Sequence, residues 1–338
     1  FMIDGYLVPQ NDEYFNEYGS QSRERLKIIS NFSGSAGFAV ILKNKSYLFV
    51  DGRYTIQAQQ QSGKQFKIIE IHKFLPHSII KNLTLGFDPK LLTKRQLYGY
   101  FGKFLKLKQV NNNLIDEIYK KRNPKTKKFF SLSSKVTGES FKSKINKIRD
   151  ILKLNKTDYL FISAPENVAW VLNIRGSDNP NSPIPNCRLI IGKNKELFLI
   201  TQKEKVSKIV KDRKLSKEKI INPEKFEHLI KKLNGKKFII DPLSCSVFNE
   251  NIIKSKFKIS NKYDPCYKLK SIKTSSEINH MIKAHIEDGV ALTKFIYWIK
   301  KVNKKKITEI DSQNKLKKLR KLNKNYLFPS FNTIAGTG

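Results

Sequence analysis

A chain of 338 residues, 39% hydrophobic and 11% aromatic, exceeds one ordinary domain and can fill real cores, which excludes a disordered chain. No run approaches eighteen apolar residues, no signal peptide is visible, and the three cysteines are too scattered for a disulfide framework or zinc site, so a cytoplasmic protein without membrane attachment is expected. The net charge of +37 suggests weak, salt-sensitive polyanion binding but no specific nucleic acid, because only ten of the 66 basic residues are arginine and the lysines are spread through every segment without a recognition motif.

The predicted elements fall into an internal repeat. The first copy opens with a strand at Asp4-Gly5-Tyr6-Leu7-Val8 and continues through a polar stretch. A hairpin follows, Ala39–Leu42 and Tyr47–Val50 around Lys43-Asn44-Lys45. Next come a helix over 55–62 and a buried strand ending in Asp88-Pro89. A charged linker, Lys120-Lys121-Arg122-Asn123-Pro124-Lys125, leads to a helix near 139–154 with Phe141, Ile145, Ile148, Ile151 and Leu152 on one face.

The second copy repeats the order: a strand at Asp158–Ile162, a hairpin of Leu189–Gly192 and Leu197–Ile200 around Lys193-Asn194-Lys195, a helical stretch over 203–211, and a strand ending in Asp241-Pro242. Turn and Asp-Pro lie 45 residues apart in the first copy and 48 in the second. Strands alternating with helices around a mixed sheet give two α/β domains of similar fold. The first copy lacks a helix corresponding to 139–154, so its first helix is expected to be missing from this sequence.

Beyond Asp264-Pro265, Thr274-Ser275-Ser276-Glu277 is a capping box. It starts a long helix whose buried side is expected to carry Ile278, Met281, Ile282, His285, Leu292, Phe295, Ile296 and Ile299. A second helix over about 308–322 and a strand within Leu327–Gly338 are expected to begin a third domain. Gly34-Ser35-Ala36-Gly37 lacks the Lys-Ser/Thr end of a phosphate loop and reads as a tight turn that needs glycine's backbone freedom.

Seven stretches, taken in order, resemble the Xaa-Pro aminopeptidases (aminopeptidase P), of the metallopeptidase family that includes prolidase and creatinase. They are Asp4–Pro9, Phe32–Gly37, Asp51-Gly52-Arg53-Tyr54, Trp170–Asp178, Ala284–Gly289, Thr308–Asp311 and Ser330–Ile334. The resemblance implies two tandem creatinase-N-like domains (1–124 and 125–268) and the start of a pita-bread catalytic domain (269–338). It implies a homodimer, two divalent ions, usually Mn2+, and removal of the N-terminal residue from proline-containing peptides with proline second.

The family's metal ligands all follow the Asn332-Thr333-Ile334 stretch, so this chain is expected to be inactive alone. Independently, only Glu309 and Asp311 supply carboxylates after Gly289, with no histidine, which is no dinuclear site. The alternative is a non-catalytic peptide- or protein-binding relative. Candidate substrate-binding residues are Arg53, able to bind a carboxylate or to brace its own loop, Arg175, able to do the same or to brace between domains, and Phe331 and Asn332, whose stretch borders the catalytic cavity in the resembling enzymes, Phe331 being equally able to lie in a core. His285 is expected in the core. His228 with Cys187 or Cys245 has no local support as a nucleophile pair.

Overall fold

The computed structural model describes residues 2–19, 23–102, 105–119, 127–212, 214–303 and 306–336. The predicted linker Lys120–Lys125 lies outside them.

Two six-stranded mixed sheets form the body. The first contains β1 (Gly5–Pro9), β2 (Gly37–Leu42), β3 (Ser46–Val50), β4 (Lys67–Glu70), β5 (Thr84–Phe87) and β6 (Lys106–Gln109) in the order β4-β3-β2-β1-β5-β6. A two-stranded ribbon pairs β7 (Phe130–Ser131) with β9 (Ile174–Arg175). The second sheet contains β8 (Tyr159–Ile162), β10 (Arg188–Gly192), β11 (Leu197–Ile200), β12 (Ile220–Ile221), β13 (Lys237–Ile240) and β14 (Lys258–Asn261), in the order β12-β11-β10-β8-β13-β14. With β8 standing for β1, the two topologies are identical. The chain thus has two tandem α/β units, and both predicted hairpins form as antiparallel pairs.

Both faces of each sheet are covered, which is why the strands read as continuous apolar runs rather than alternating ones. In the second unit Leu160 and Ile162 face the helices Phe141–Leu154 and Pro165–Leu172. Tyr159 and Phe161 face the helices Phe226–Lys232 and Val247–Lys254. Ile145, Ile148 and Leu152 are buried as their spacing predicts, while Phe141 and Ile151 are half-buried.

The two Asp-Pro motifs do the same work. Asp88 accepts from Asn113 Nδ2 at 2.9 Å and from Lys90 N at 2.9 Å. Asp241 accepts from the Asp264 and Leu243 backbone amides, both at 2.9 Å. Each carboxylate ties a strand end to the segment after the neighbouring edge strand, which opens the helix Leu114–Ile118 or Cys266–Ser271 and where Asn113 and Asp264 accept backbone amides in turn. Five residues after each Asp stands a helix cap, Thr93 or Ser246, and these equivalent loops dock on each other. Val247 N donates to Leu92 O (2.8 Å) and Phe248 N to Pro89 O (2.9 Å), while the Val247 side chain enters the first unit's core.

The Gly34 turn is corrected in its cause. Gly34 has no left-handed φ; a Cβ there would meet the Phe32 ring at 2.2 Å, so room for that ring, not backbone freedom, demands glycine.

The remaining elements lie differently from expectation. The capping box forms, and helix Ser275–Lys301 follows it, packed against helix Glu309–Arg320 through the Asp288–Arg320 ion pair at 2.6 Å. Only Ala291 of the long helix is buried; Ile278, Met281, Ile282, Leu292 and Ile296 are exposed, and Phe295 and Ile299 are half-buried. His285 is also exposed, its Nδ1 2.9 Å from Met281 O, so it is not a core histidine. Amphipathic spacing records a face able to be buried, but among the described residues little packs on it. Residues 327–336 form no strand, because no neighbouring strand offers their backbone a ladder.

These contrasts are measurable. Phe161→Ala removes a fully buried ring stacked on Phe226 and should cost about 3–5 kcal/mol, read from urea midpoints. Ile278→Ala on the exposed helix should stay within about 0.5 kcal/mol. Comparable losses at both positions would contradict this assignment of the core.

Candidate functional site

The polar stretch after β1 builds the site. Asp12, 2% exposed, accepts from the backbone amides of Tyr14 (2.9 Å) and Asn16 (3.1 Å) and from Asn16 Nδ2 (2.9 Å). This curls the loop into a hook with Phe15 in the left-handed region, φ 57°. Buried Arg25 fixes the hook from behind, gripping Asp116 with Nε and Nη2 at 2.9 and 2.8 Å and Glu13 at 2.5 Å. Burial alone would raise the Glu13 carboxyl, but the Arg25 and Arg23 charges bring it down to about 2.

The hook's outer side reaches the second unit. Asn16 donates to Asn186 Oδ1 (3.0 Å) and accepts from Asn179 Nδ2 (2.9 Å). Between Phe15–Tyr18, Glu166, Asn179–Ile184 and Ser330 lies a cleft of about 410 Å³. Asn179, 7% exposed, presents a buried Oδ1 with no hydrogen-bond partner. Glu166 accepts from Tyr267 at 3.1 Å. The cleft therefore offers acceptors and two carboxylates, Glu17 and Glu166, in a chain of +37 charge. Such a lining suits ammonium and peptide N–H groups.

The four residues singled out from sequence are placed differently. Arg53 is 73% exposed; its Nε and backbone N bond Asp51 at 2.9 and 3.0 Å, bracing its own loop. Asp51 is lowered to about 2, first by that hydrogen bond. Arg175 is half-buried and donates to Ile174 O (2.9 Å) and Ala169 O (3.4 Å), away from the cleft lining. Phe331 and Asn332 are exposed, one and two residues beyond Ser330. None of the four lines the cleft: Arg53 and Arg175 bond their own neighbourhoods, and Phe331 and Asn332 follow the lining residue Ser330 in sequence.

Comparison with known proteins agrees with this architecture. Two models of the creatinase/prolidase N-terminal domain match residues 2–117 and 120–277. An Xaa-Pro aminopeptidase from Dictyostelium discoideum is 30% identical over 98% of this chain and 57% of its own length. One from Drosophila melanogaster is 30% identical over 99% of this chain and 58% of its own. The crystal structure of X-prolyl aminopeptidase from Caenorhabditis elegans, described as a cytosolic enzyme with a di-nuclear active site, superposes with a TM-score of 0.84 at 25% identity. That match covers 98% of this chain and 58% of that one.

The chain belongs to the Xaa-Pro aminopeptidase family. It spans less than two thirds of the length of these relatives.

The family stretch Trp170–Asp178 serves structure here. Helix Pro165–Leu172 ends at Asn173 in the left-handed region, and three cations collect its terminal carbonyls. Lys144 Nζ donates to Trp170 O (3.1 Å) and Asn173 Oδ1 (2.7 Å). Lys214 Nζ donates to Leu132 O, Leu172 O and Asn173 O at 2.9–3.2 Å, and Arg175 takes Ala169 O. Positive charge at a helix C-terminus stabilises, by up to about 2 kcal/mol when partly buried. Asp178 meanwhile holds Lys205 (2.8 Å) and Asn186 N (2.7 Å).

The implied metal pair does not fit these residues: among the described ones, no three His, Cys, Asp or Glu side chains gather as ligands. Nor does a thiol nucleophile fit, since burial pushes the Cys187 and Cys245 thiols well up. No helix among the described residues is long and apolar enough to cross a membrane. Sequence reading missed Asp12, Asn16, Arg25, Lys144 and Asn179. The available signal was the Asn-Asp-Glu run, an Asx-turn former, directly after a strand.

Lys144 gives a pH test. Burial lowers its ammonium to about 8 against the usual 10.5, opposed by Glu277 and Glu139 and assisted by Arg175 and Lys147. The folded protein then binds fewer protons than the unfolded chain between these values, so stability rises with pH across that window. Relative to Lys144→Met, the wild-type urea midpoint should climb from pH 8 to 10; parallel profiles would show that no such shift exists.

Proposed function

We propose that the protein containing this chain is an Xaa-Pro aminopeptidase, releasing the N-terminal residue from peptides with proline second. The observation that carries this reading is a match running through 98% of the chain, at a TM-score of 0.84, to an X-prolyl aminopeptidase. The described residues provide no ligand set for a metal pair, so the two divalent ions, Mn2+ in our reading, would be held outside them. In this proposal residues 1–124 and 125–268 are two creatinase-N-like domains and 269–338 the beginning of the pita-bread catalytic domain. The cleft at Ser330 admits the peptide: Glu17 and Glu166 draw in cationic N-termini, and the Asn179 Oδ1 accepts a peptide or ammonium hydrogen. We also propose a homodimer and, since the Caenorhabditis elegans enzyme is described as cytosolic, a cytosolic location.

A second reading is a non-catalytic peptide- or protein-binding member of the family. One assay separates the two: the longest open reading frame carrying these residues, tested for arginine release from Arg-Pro-Pro with and without Mn2+. Metal-dependent release is expected. Peptide binding by a folded protein that releases nothing and takes up no Mn2+ would establish the second reading instead. Glu17→Gln with Glu166→Gln should raise KM for Arg-Pro-Pro about 5–10-fold, a loss of about 1–1.4 kcal/mol, with kcat unchanged. Unchanged KM would remove this cleft from the route of the substrate.

A further inference from the structure

A second cleft lies on the inner side of the hook and differs in electrostatic character. It encloses about 330 Å³ between the two units, within the size range of small-ligand sites. The strands β8, β11, β12, β13 and β14 run in one direction and β10 alone runs against them. The cleft is bounded by Thr201 and Gln202 after β11, Glu224 after β12 and Ser246 after β13. It therefore sits at the carboxyl ends of these strands, where open α/β sheets bind ligands. The first unit closes it with Glu13, Tyr14, Arg23 and Lys90.

Four cations face this space: Arg23, Lys90, Arg188 and Lys205. Two are neutralised, Lys205 by Asp178 at 2.8 Å and Arg23 by Asp12 and Glu13 at 3.7 and 3.6 Å. The other two have no carboxylate within ion-pair distance among the described residues. Arg188 lies over the Tyr14 ring, 4.5 Å from its centroid, and donates to Glu13 O; Lys90 Nζ stands 5.2 Å from the Phe248 ring. Both are half-buried. Of the lining carboxylates, Glu13 is already committed to Arg25 and Arg23, which leaves only Glu224. Arg23 adds a buried Nη1 that makes no hydrogen bond, its nearest carboxylate being Asp12 at 3.7 Å. Half-buried cations without counter-charge are costly, and an anion within reach of both removes that cost.

We propose that this cleft is a binding site for a small multivalent oxyanion of the phosphate class, held by Arg188 and Lys90 from opposite units. The site is independent of the peptidase reading. Arg188 is one of only ten arginines in a lysine-rich chain, which separates this site from the general surface charge. A ligand bridging the two units stabilises their joint, so its binding raises the melting temperature.

The test uses the chain itself with pyrophosphate as probe, by calorimetric titration and thermal melting in 0.15 M NaCl, a concentration at which exposed charges are screened beyond about 8 Å. One site per chain is expected, weakened at least tenfold by Lys90→Gln and by Arg188→Gln but unaffected by Lys195→Gln, an exposed lysine in the β10–β11 turn. If Arg188→Gln fails to fold, Lys90→Gln, checked by circular dichroism, decides alone. Binding at many sites, or equal weakening by Lys195→Gln, would reduce the effect to surface charge and overturn the proposal. Citrate binding as tightly as pyrophosphate would overturn the phosphate class in favour of a polycarboxylate.

Discussion

The ligand-accessible architecture depends on the way Asp12 and Arg25 hold one loop. Asp12 gathers two backbone amides and a side-chain amide, and Arg25 anchors the loop to the helix Leu114–Ile118. Neither charge is left alone in the interior, which is the condition for burying them at all. Both clefts between the units use this loop as a wall, one on each side. The outer side presents Glu17 and an unpaired Asn179 acceptor close by; the inner side presents Arg23 and faces Arg188. A single hook thus separates an acceptor-lined cleft from a cationic one.

The repeat explains how the two units meet. Each sheet ends its central parallel strand in Asp-Pro, and each Asp is satisfied from the segment that follows the neighbouring edge strand. The loops that follow are equivalent in sequence position and touch each other at the joint. Lys94–Glu250 at 2.5 Å and Asn251–Gln109 at 3.0 Å extend this contact. One local motif therefore serves twice within the units and once between them.

Legibility followed the range of the interactions. The hairpins, the Asp-Pro strands, helix Thr55–Ser62 and the Thr274 capping box were readable because turn chemistry and capping act over a few residues. The buried face assigned to helix Ser275–Lys301 was not confirmed, since periodicity tells which residues share a face but not what lies against it. The same distinction explains Arg53 and Arg175. Their residue type allowed ligand binding or bracing, and in this structure both bond partners one to six residues away.

The sequence alone determined the two-unit α/β organisation, the strand and helix order and the family resemblance, because these rest on apolar runs, turn residues and ordered motifs. Only the tertiary structure decided which charges meet. Asn16 reaches Asn186 across 170 positions and Arg25 reaches Asp116 across 91. Lys144, one of many lysines in the sequence, became a buried cap for another helix. Long-range pairing of polar groups leaves no periodic trace along a chain, so the clefts became visible only once the units had docked.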